Sequence, residues 1–240
     1  VVKLRIAWLY GHEMNIYGDR GNVIALSQRA RWRGIEVETR TVGLGETLDA
    51  GDHDLFFWGG GQDREQASVA ADLAGPKGRE LAAAARDGVP MLTICGGYQL
   101  LGHYYQPHDA DKLPGIGVLD VWSEAGPTRF IGNAVVETDE FGKLVGFENH
   151  SGLTWLGPAA RPLGTAVAGH GNNGRDGSEG ARQYRVVASY LHGALLPKNP
   201  VLTDWLLAAA LERRYGRGTL APLDDNLERR AHAALIQRAG

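Results

Sequence analysis

This 240-residue sequence predicts an α/β fold: an open, mostly parallel sheet with flanking helices, and a β-rich second half. Two observations carry that expectation. Across the first hundred residues, short apolar runs alternate with helical stretches, the strand–helix–strand order of a parallel sheet. Two glycine clusters, at 59–61 and 96–97, fall where strands should end, which is where open parallel sheets bind ligands.

The elements follow in order. "LRIAWLY" (4–10) reads as a buried strand, and "GNVIALSQRARWRG" (21–34) as a helix stopped by glycine. "EVETRTV" (36–42) alternates with period two. "DLFFWGGG" (54–61) is a third strand ending in glycines, and a helix rich in Ala, Arg and Glu spans 63–87. "VPMLTI" (89–94) is a strand again, with "GGYQLLGHYY" opening a helix directly behind it. The second half reads as short strands within "GIGVLDVWS", "TRFIGNAVVET", "KLVGFENHSG", "GTAVAGHG" and "QYRVVASYLHG". The glycine-rich stretch 169–183 reads as a mobile loop. Helices return at 200–215 and 224–238. No repeat or convincing linker divides the chain, so residues 1–240 read as one domain.

Composition narrows the function. With 43% hydrophobic and 22% charged residues, this is the make-up of a globular protein. A formal net charge of −3 gives no electrostatic footprint for nucleic acid. No apolar stretch approaches the roughly 20 residues of a membrane span. The opening "VVKLRIAWLY" runs straight into a strand rather than a signal peptide. A single cysteine cannot form an internal disulfide, so a cytoplasmic location is the default expectation.

That cysteine, Cys95, is the chemical focus. A strand running into Cys95 and then Gly96-Gly97 before a helix has the pattern of a nucleophile elbow, where small neighbours permit the sharp bend. A helix N-terminus favours thiolate, and the Gly96 N–H could serve as half of an oxyanion hole. The competing reading is a small buried hydrophobe. A thiolate needs a base elsewhere in the sequence, and His192, ending the apolar run "VVASYLH", has the best context. His150 in "FENHSG" rivals it. No zinc-ligand spacing accompanies the cysteine, so no metal site is expected. In "WGGGQD", Gly60 is the candidate for the second oxyanion donor; the cluster lacks the phosphate-loop pattern.

Taken together, "ICGGYQLLG" and "SYLHG" resemble the nucleophile and histidine motifs of class I glutamine amidotransferases, in the subgroup related to cobyric acid synthase. "LYGHEMNIYGDRGNVIAL" (9–26) and "RFIGNAVVETDEFGKLVGFENHSGLTWL" (129–156) narrow this to the glutaminase subunits of lipid II isoglutaminyl synthases. The resemblance covers nearly the whole chain. It implies hydrolysis of L-glutamine through a γ-glutamyl thioester on Cys95, with His192 as general base and Arg129 holding the substrate. A guanidinium can grip an α-carboxylate with two parallel bonds. Ammonia would pass to a MurT-like partner of the Mur ligase family in a heterodimer. That partner would use ATP and Mg, this subunit needing no cofactor, to amidate D-glutamate of lipid II in peptidoglycan synthesis. A glutaminase serving a cobyrinate-type synthetase and an inactive regulatory module are the alternatives.

Two departures matter. Thr93 replaces the glycine common two residues before the cysteine, and His192 is followed by Gly193 and Ala194 rather than by x-Glu. The third catalytic acid must come from elsewhere. Glu148 and Asp19 are candidates here, either of which could be structural, and a carboxylate from the partner is favoured over both.

Overall fold

The computed structural model describes residues 2–239. In chain order the first strands are β1 (Lys3–Leu9), β2 (Glu36–Val42), β3 (Leu55–Trp58) and β4 (Met91–Ile94), with helices α1 (Arg20–Arg31), α2 (Asp63–Leu73) and α3 (Pro76–Arg86) between them. Behind β4 comes α4 (Gly96–Leu101). A second group follows: β5 (Tyr104–Gln106), β6 (Leu113–Pro114), β7 (Val121–Thr138), β8 (Gly142–Leu156), β9 (Gly164–Ala168) and β10 (Ser178–Glu179). The chain then returns through β11 (Ala181–Gln183), β12 (Val186–Ser189) and β13 (Leu191–His192), and ends in α5 (Leu195–Lys198), α6 (Pro200–Tyr215) and α7 (Asn226–Ala239).

The first sheet has the order β11-β12-β4-β3-β1-β2, parallel except for the edge strand β11. All four residues of β3 and of β4 are buried, as strands covered on both faces must be. Pairing of Leu9 with Trp58, Trp58 with Thr93 and Thr93 with Ala188 brings the carboxyl ends of β1, β3, β4 and β12 level to within a residue. Whatever follows those ends therefore meets at one edge of the sheet.

The second sheet is dominated by the antiparallel β7–β8 hairpin. Its 18- and 15-residue strands replace the separate short strands expected from the turn residues. The expected 183–193 strand is also divided: β12 belongs to the first sheet, whereas β13 pairs with β8 in the second. Tyr190 is thus the seam between the two sheets.

Three further expectations are corrected. The 63–87 helix breaks into α2 and α3 at Gly75, which is extended because the ring of Pro76 disfavours helical backbone in the residue before it. The helix behind Cys95 ends at Leu101, and the chain re-enters as β5. The 169–183 stretch is pinned rather than mobile: Asn172 and Asn173 are buried, and the Asn172 side chain bonds to Ser178 and Gly180. At the other end of the molecule, buried Arg29 on α1 binds Asp204 and Asp225, fixing α6 and the approach to α7 against the first layer.

Candidate active site

The site forms where the level strand ends meet the second sheet. Cys95 follows β4 with φ 52° and ψ −107°, a conformation that costs an L-residue strain and that clusters at functional sites. Its N–H donates to the Ser189 carbonyl at 2.9 Å, locking the elbow to β12. Thr93 does not impede the bend; it lies within β4, paired to Trp58 and Ala188. The glycines are required by space. A Cβ at Gly96 would lie 2.6 Å from Gln66 Nε2, and one at Gly97 would lie 2.9 Å from the Gly59 carbonyl. Gly97 N–H donates to that carbonyl, tying the elbow to the 59–61 turn.

His192, two residues beyond the seam, is fully buried beside the thiol. The "MNIYGDRGN" segment explains how an acid reaches it. Asn15 Oδ1 accepts from the Arg20 N–H, shaping the turn ahead of α1. Asn22 Oδ1 accepts from the Leu196 N–H, and Gly21 packs so closely on Ala194 that a Cβ would collide with it. Docked in this way, the start of α1 delivers the buried Asp19 carboxylate to 3.6 Å from His192 Nδ1. The other Asp19 oxygen accepts from the Gly60 N–H at 2.7 Å. Tyr17, itself at φ 55°, covers the imidazole edge-on.

Neither His192 nitrogen nor Asp19 Oδ1 has another partner among the described residues. Burial works to lower the His192 pKa, but the Cys95 and Asp19 charges outweigh it and raise the pKa. The arrangement can therefore hold an imidazolium between a thiolate and a carboxylate.

The structure sorts the sequence candidates. Asp19 stands at the ring, a carboxylate of this chain in the place where one from the partner was favoured. Glu148 is elsewhere: its carboxylate accepts from the N–H groups of His170 and Gly171 and bonds His170 Nδ1 at 2.6 Å, a loop anchor rather than a neighbour of the thiol. Gly60 does lie against the pair, since a Cβ there would be 3.2 Å from Cys95 Cβ and 2.9 Å from His192 Cε1. Its N–H, however, is committed to Asp19, which corrects its role as oxyanion donor. Gly61 takes its place at the cavity wall.

A narrow cleft runs from Cys95 to Arg129. Arg129 reaches it through a bulge in β7: residues 126–129 loop out between the pairs Ala125–Gly152 and Phe130–His150. Its guanidinium donates to Asn149 Oδ1 at 3.1 Å and is otherwise exposed at the mouth. His150 also lines the cleft, 2% exposed and stacked on Tyr190 at 3.7 Å. Its Nδ1 is committed to the Gly152 carbonyl at 2.8 Å, and burial pushes its pKa down to about 3. It has no carboxylate beside it, unlike His192. Gln66 and Gln99, which the sequence reading passed over, complete the wall.

Residues 5–200 match the CobB/CobQ-like glutamine amidotransferase domain. The chain belongs to that family. Two relatives match nearly the whole chain. The chain is 42% identical over 237 residues to the Staphylococcus aureus protein named lipid II isoglutaminyl synthase (glutamine-hydrolyzing) subunit GatD, covering 99% of this chain and 96% of that one. The subunit of the same name from Streptococcus pneumoniae is 38% identical, covering 94% and 87%. A cobyric acid synthase from Pelotomaculum thermopropionicum is 33% identical but matches 57% of this chain and only 29% of its own length. Among solved structures, a glutamine amidotransferase from Thermotoga maritima (TM-score 0.54, 17% identical, 98% and 90% covered) shares the fold. So does the glutaminase domain of Trypanosoma brucei CTPS (TM-score 0.55, 14% identical, 88% and 95% covered). Among the described residues, no helix is long and apolar enough to cross a membrane.

Proposed function

We propose that this chain is the glutamine-hydrolysing subunit of a lipid II isoglutaminyl synthase. The Cys95 thiolate attacks the carboxamide carbon of L-glutamine, and the negative charge on its oxygen is met by the N–H of Gly96 and that of Gly61. The tetrahedral adduct collapses as imidazolium His192 gives its proton to the departing nitrogen, releasing ammonia and leaving a γ-glutamyl thioester. Neutral His192 then activates water, which hydrolyses the thioester to glutamate and restores the thiolate. Asp19 orients the ring and favours its charged form, the role a buried acid plays beside any catalytic histidine. Arg129 holds the substrate α-carboxylate at the mouth.

The observation that carries this reading is the meeting of His192 and Asp19 beside Cys95, the cysteine itself lining a cleft that reaches Arg129. Similarity over nearly the full chain to two subunits of that name, at 42% and 38% identity, supports lipid II as the final acceptor. In this reading a MurT-like, ATP-dependent partner receives the ammonia and amidates the D-glutamate α-carboxyl of lipid II. The test is ammonia transfer. The chain mixed with its Mur-ligase-like partner, ATP, glutamine and lipid II should yield amidated lipid II. Glutamine hydrolysis without amidation would leave a glutaminase serving another acceptor; no hydrolysis would defeat the reading altogether.

A further inference from the structure

The cleft wall contains two buried acceptors that the chemistry above does not use. His150 Nε2 and Gln66 Oε1 have no hydrogen-bond partner among the described residues, although both residues are at least 97% buried. Their orientations are fixed. His150 Nδ1 faces a carbonyl, so it carries the proton and Nε2 carries the lone pair. The Gln66 amide nitrogen faces the Gly61 carbonyl and Gln99 Oε1, two acceptors, which leaves its oxygen as the free atom. Leaving such an atom buried and unpaired costs about 1–3 kcal/mol, so a wall with two of them is built for a donor.

The substrate has two donor groups, its carboxamide nitrogen and its α-ammonium. The carboxamide nitrogen must face His192, which lies with Cys95 against Gly60. The α-ammonium shares a carbon with the carboxylate that Arg129 would hold, and Arg129, its partner Asn149, His150 and Gln66 all line the same cleft. We propose that His150 Nε2, with Gln66 Oε1 as a second acceptor, receives the α-ammonium group of the substrate and restricts the site to free α-amino acids. This rests on the glutaminase reading and adds a specificity-determining residue to it. Burial suits His150 to the task. A histidine of ordinary pKa would be protonated beside a cation in mild acid and repel it, whereas this ring stays neutral.

The test compares L-glutamine with its deamino analogue, 4-carbamoylbutanoate, using the complex with the synthetase partner. His150→Phe keeps the ring stacked on Tyr190, and His150→Asn keeps a donor for the Gly152 carbonyl; both remove Nε2. Each should lower kcat/KM for glutamine about 30-fold, mostly through KM, and change that for the deamino analogue less than about threefold. An equal fall for both compounds, or none for glutamine, overturns the assignment. The unaltered complex is a test without any variant, since less than about a threefold preference for glutamine would also overturn it. Hydrolysis of neither compound by the unaltered complex would refute the glutaminase reading, and this assignment with it.

Discussion

The two sheets contribute to the site in different ways. In the parallel sheet the central strands β3 and β4 are short and buried, and the chemical group sits just past an end: Cys95 after β4, with the 59–61 turn after β3. In the antiparallel sheet the groups lie along the strands, His150 on β8 and Arg129 on a bulge of β7. A parallel sheet levels its ends through register, so a nucleophile needs only a tight turn. An antiparallel hairpin presents a face, which suits gripping a substrate. His192 belongs to both, because the chain changes sheets at Tyr190, two residues before it.

This division can be broken at each point. The largest effect is expected at the parallel edge. Cys95→Ala should remove glutamine hydrolysis by about four orders of magnitude or more, and Cys95→Ser should do nearly as much, because an alcohol ionises far less readily than a thiol. Steady-state ammonia release measures both. Next comes the acid. Asp19→Asn keeps an acceptor for the Gly60 N–H but loses the charge beside His192, and kcat should fall about a thousandfold. Glu148→Gln, on the hairpin, should change kcat less than about threefold while lowering the melting temperature, since Glu148 anchors the His170 turn. A reversal of those two results would move the acid into the second sheet.

The seam gives a stability prediction. Glu179 is fully buried, accepts from the Tyr190 N–H and Ser189 hydroxyl, and is pushed up to about 7 by burial. With a folded pKa above its unfolded value of 4.5, its contribution to stability is complete below 4.5 and lost as pH rises through 7. The shift corresponds to roughly 3 kcal/mol. Glu179→Gln should flatten the fall in unfolding free energy between pH 5 and about 8 measured by denaturant titration. An unchanged slope would place the charge elsewhere. The bulge gives a smaller effect on activity than Cys95 or Asp19. Arg129→Lys keeps the charge but not the paired geometry, and KM for glutamine should rise about tenfold with kcat little changed.

What the sequence disclosed follows the same division. The strand-turn-helix at Cys95 is a local pattern, and so was legible residue by residue. Asp19 was visible only as an acid in a turn motif; its approach to His192 depends on Gly21 against Ala194 and Asn22 against Leu196, contacts spanning more than 170 residues. The Arg129 bulge and the His150 stacking on Tyr190 depend on strand register, which no local pattern encodes. The Gly60 correction has the same origin, because its N–H partner lies 41 residues away.

The central claim is that Cys95 and His192, brought together at the seam, form a thiolate–imidazolium pair that attacks glutamine. The most direct measurement is labelling by a glutamine-mimicking electrophile, read by peptide mass spectrometry. The account expects stoichiometric modification of Cys95, suppressed by L-glutamine and slowed in His192→Gln. Labelling that glutamine does not suppress, or that is indifferent to His192, would contradict it.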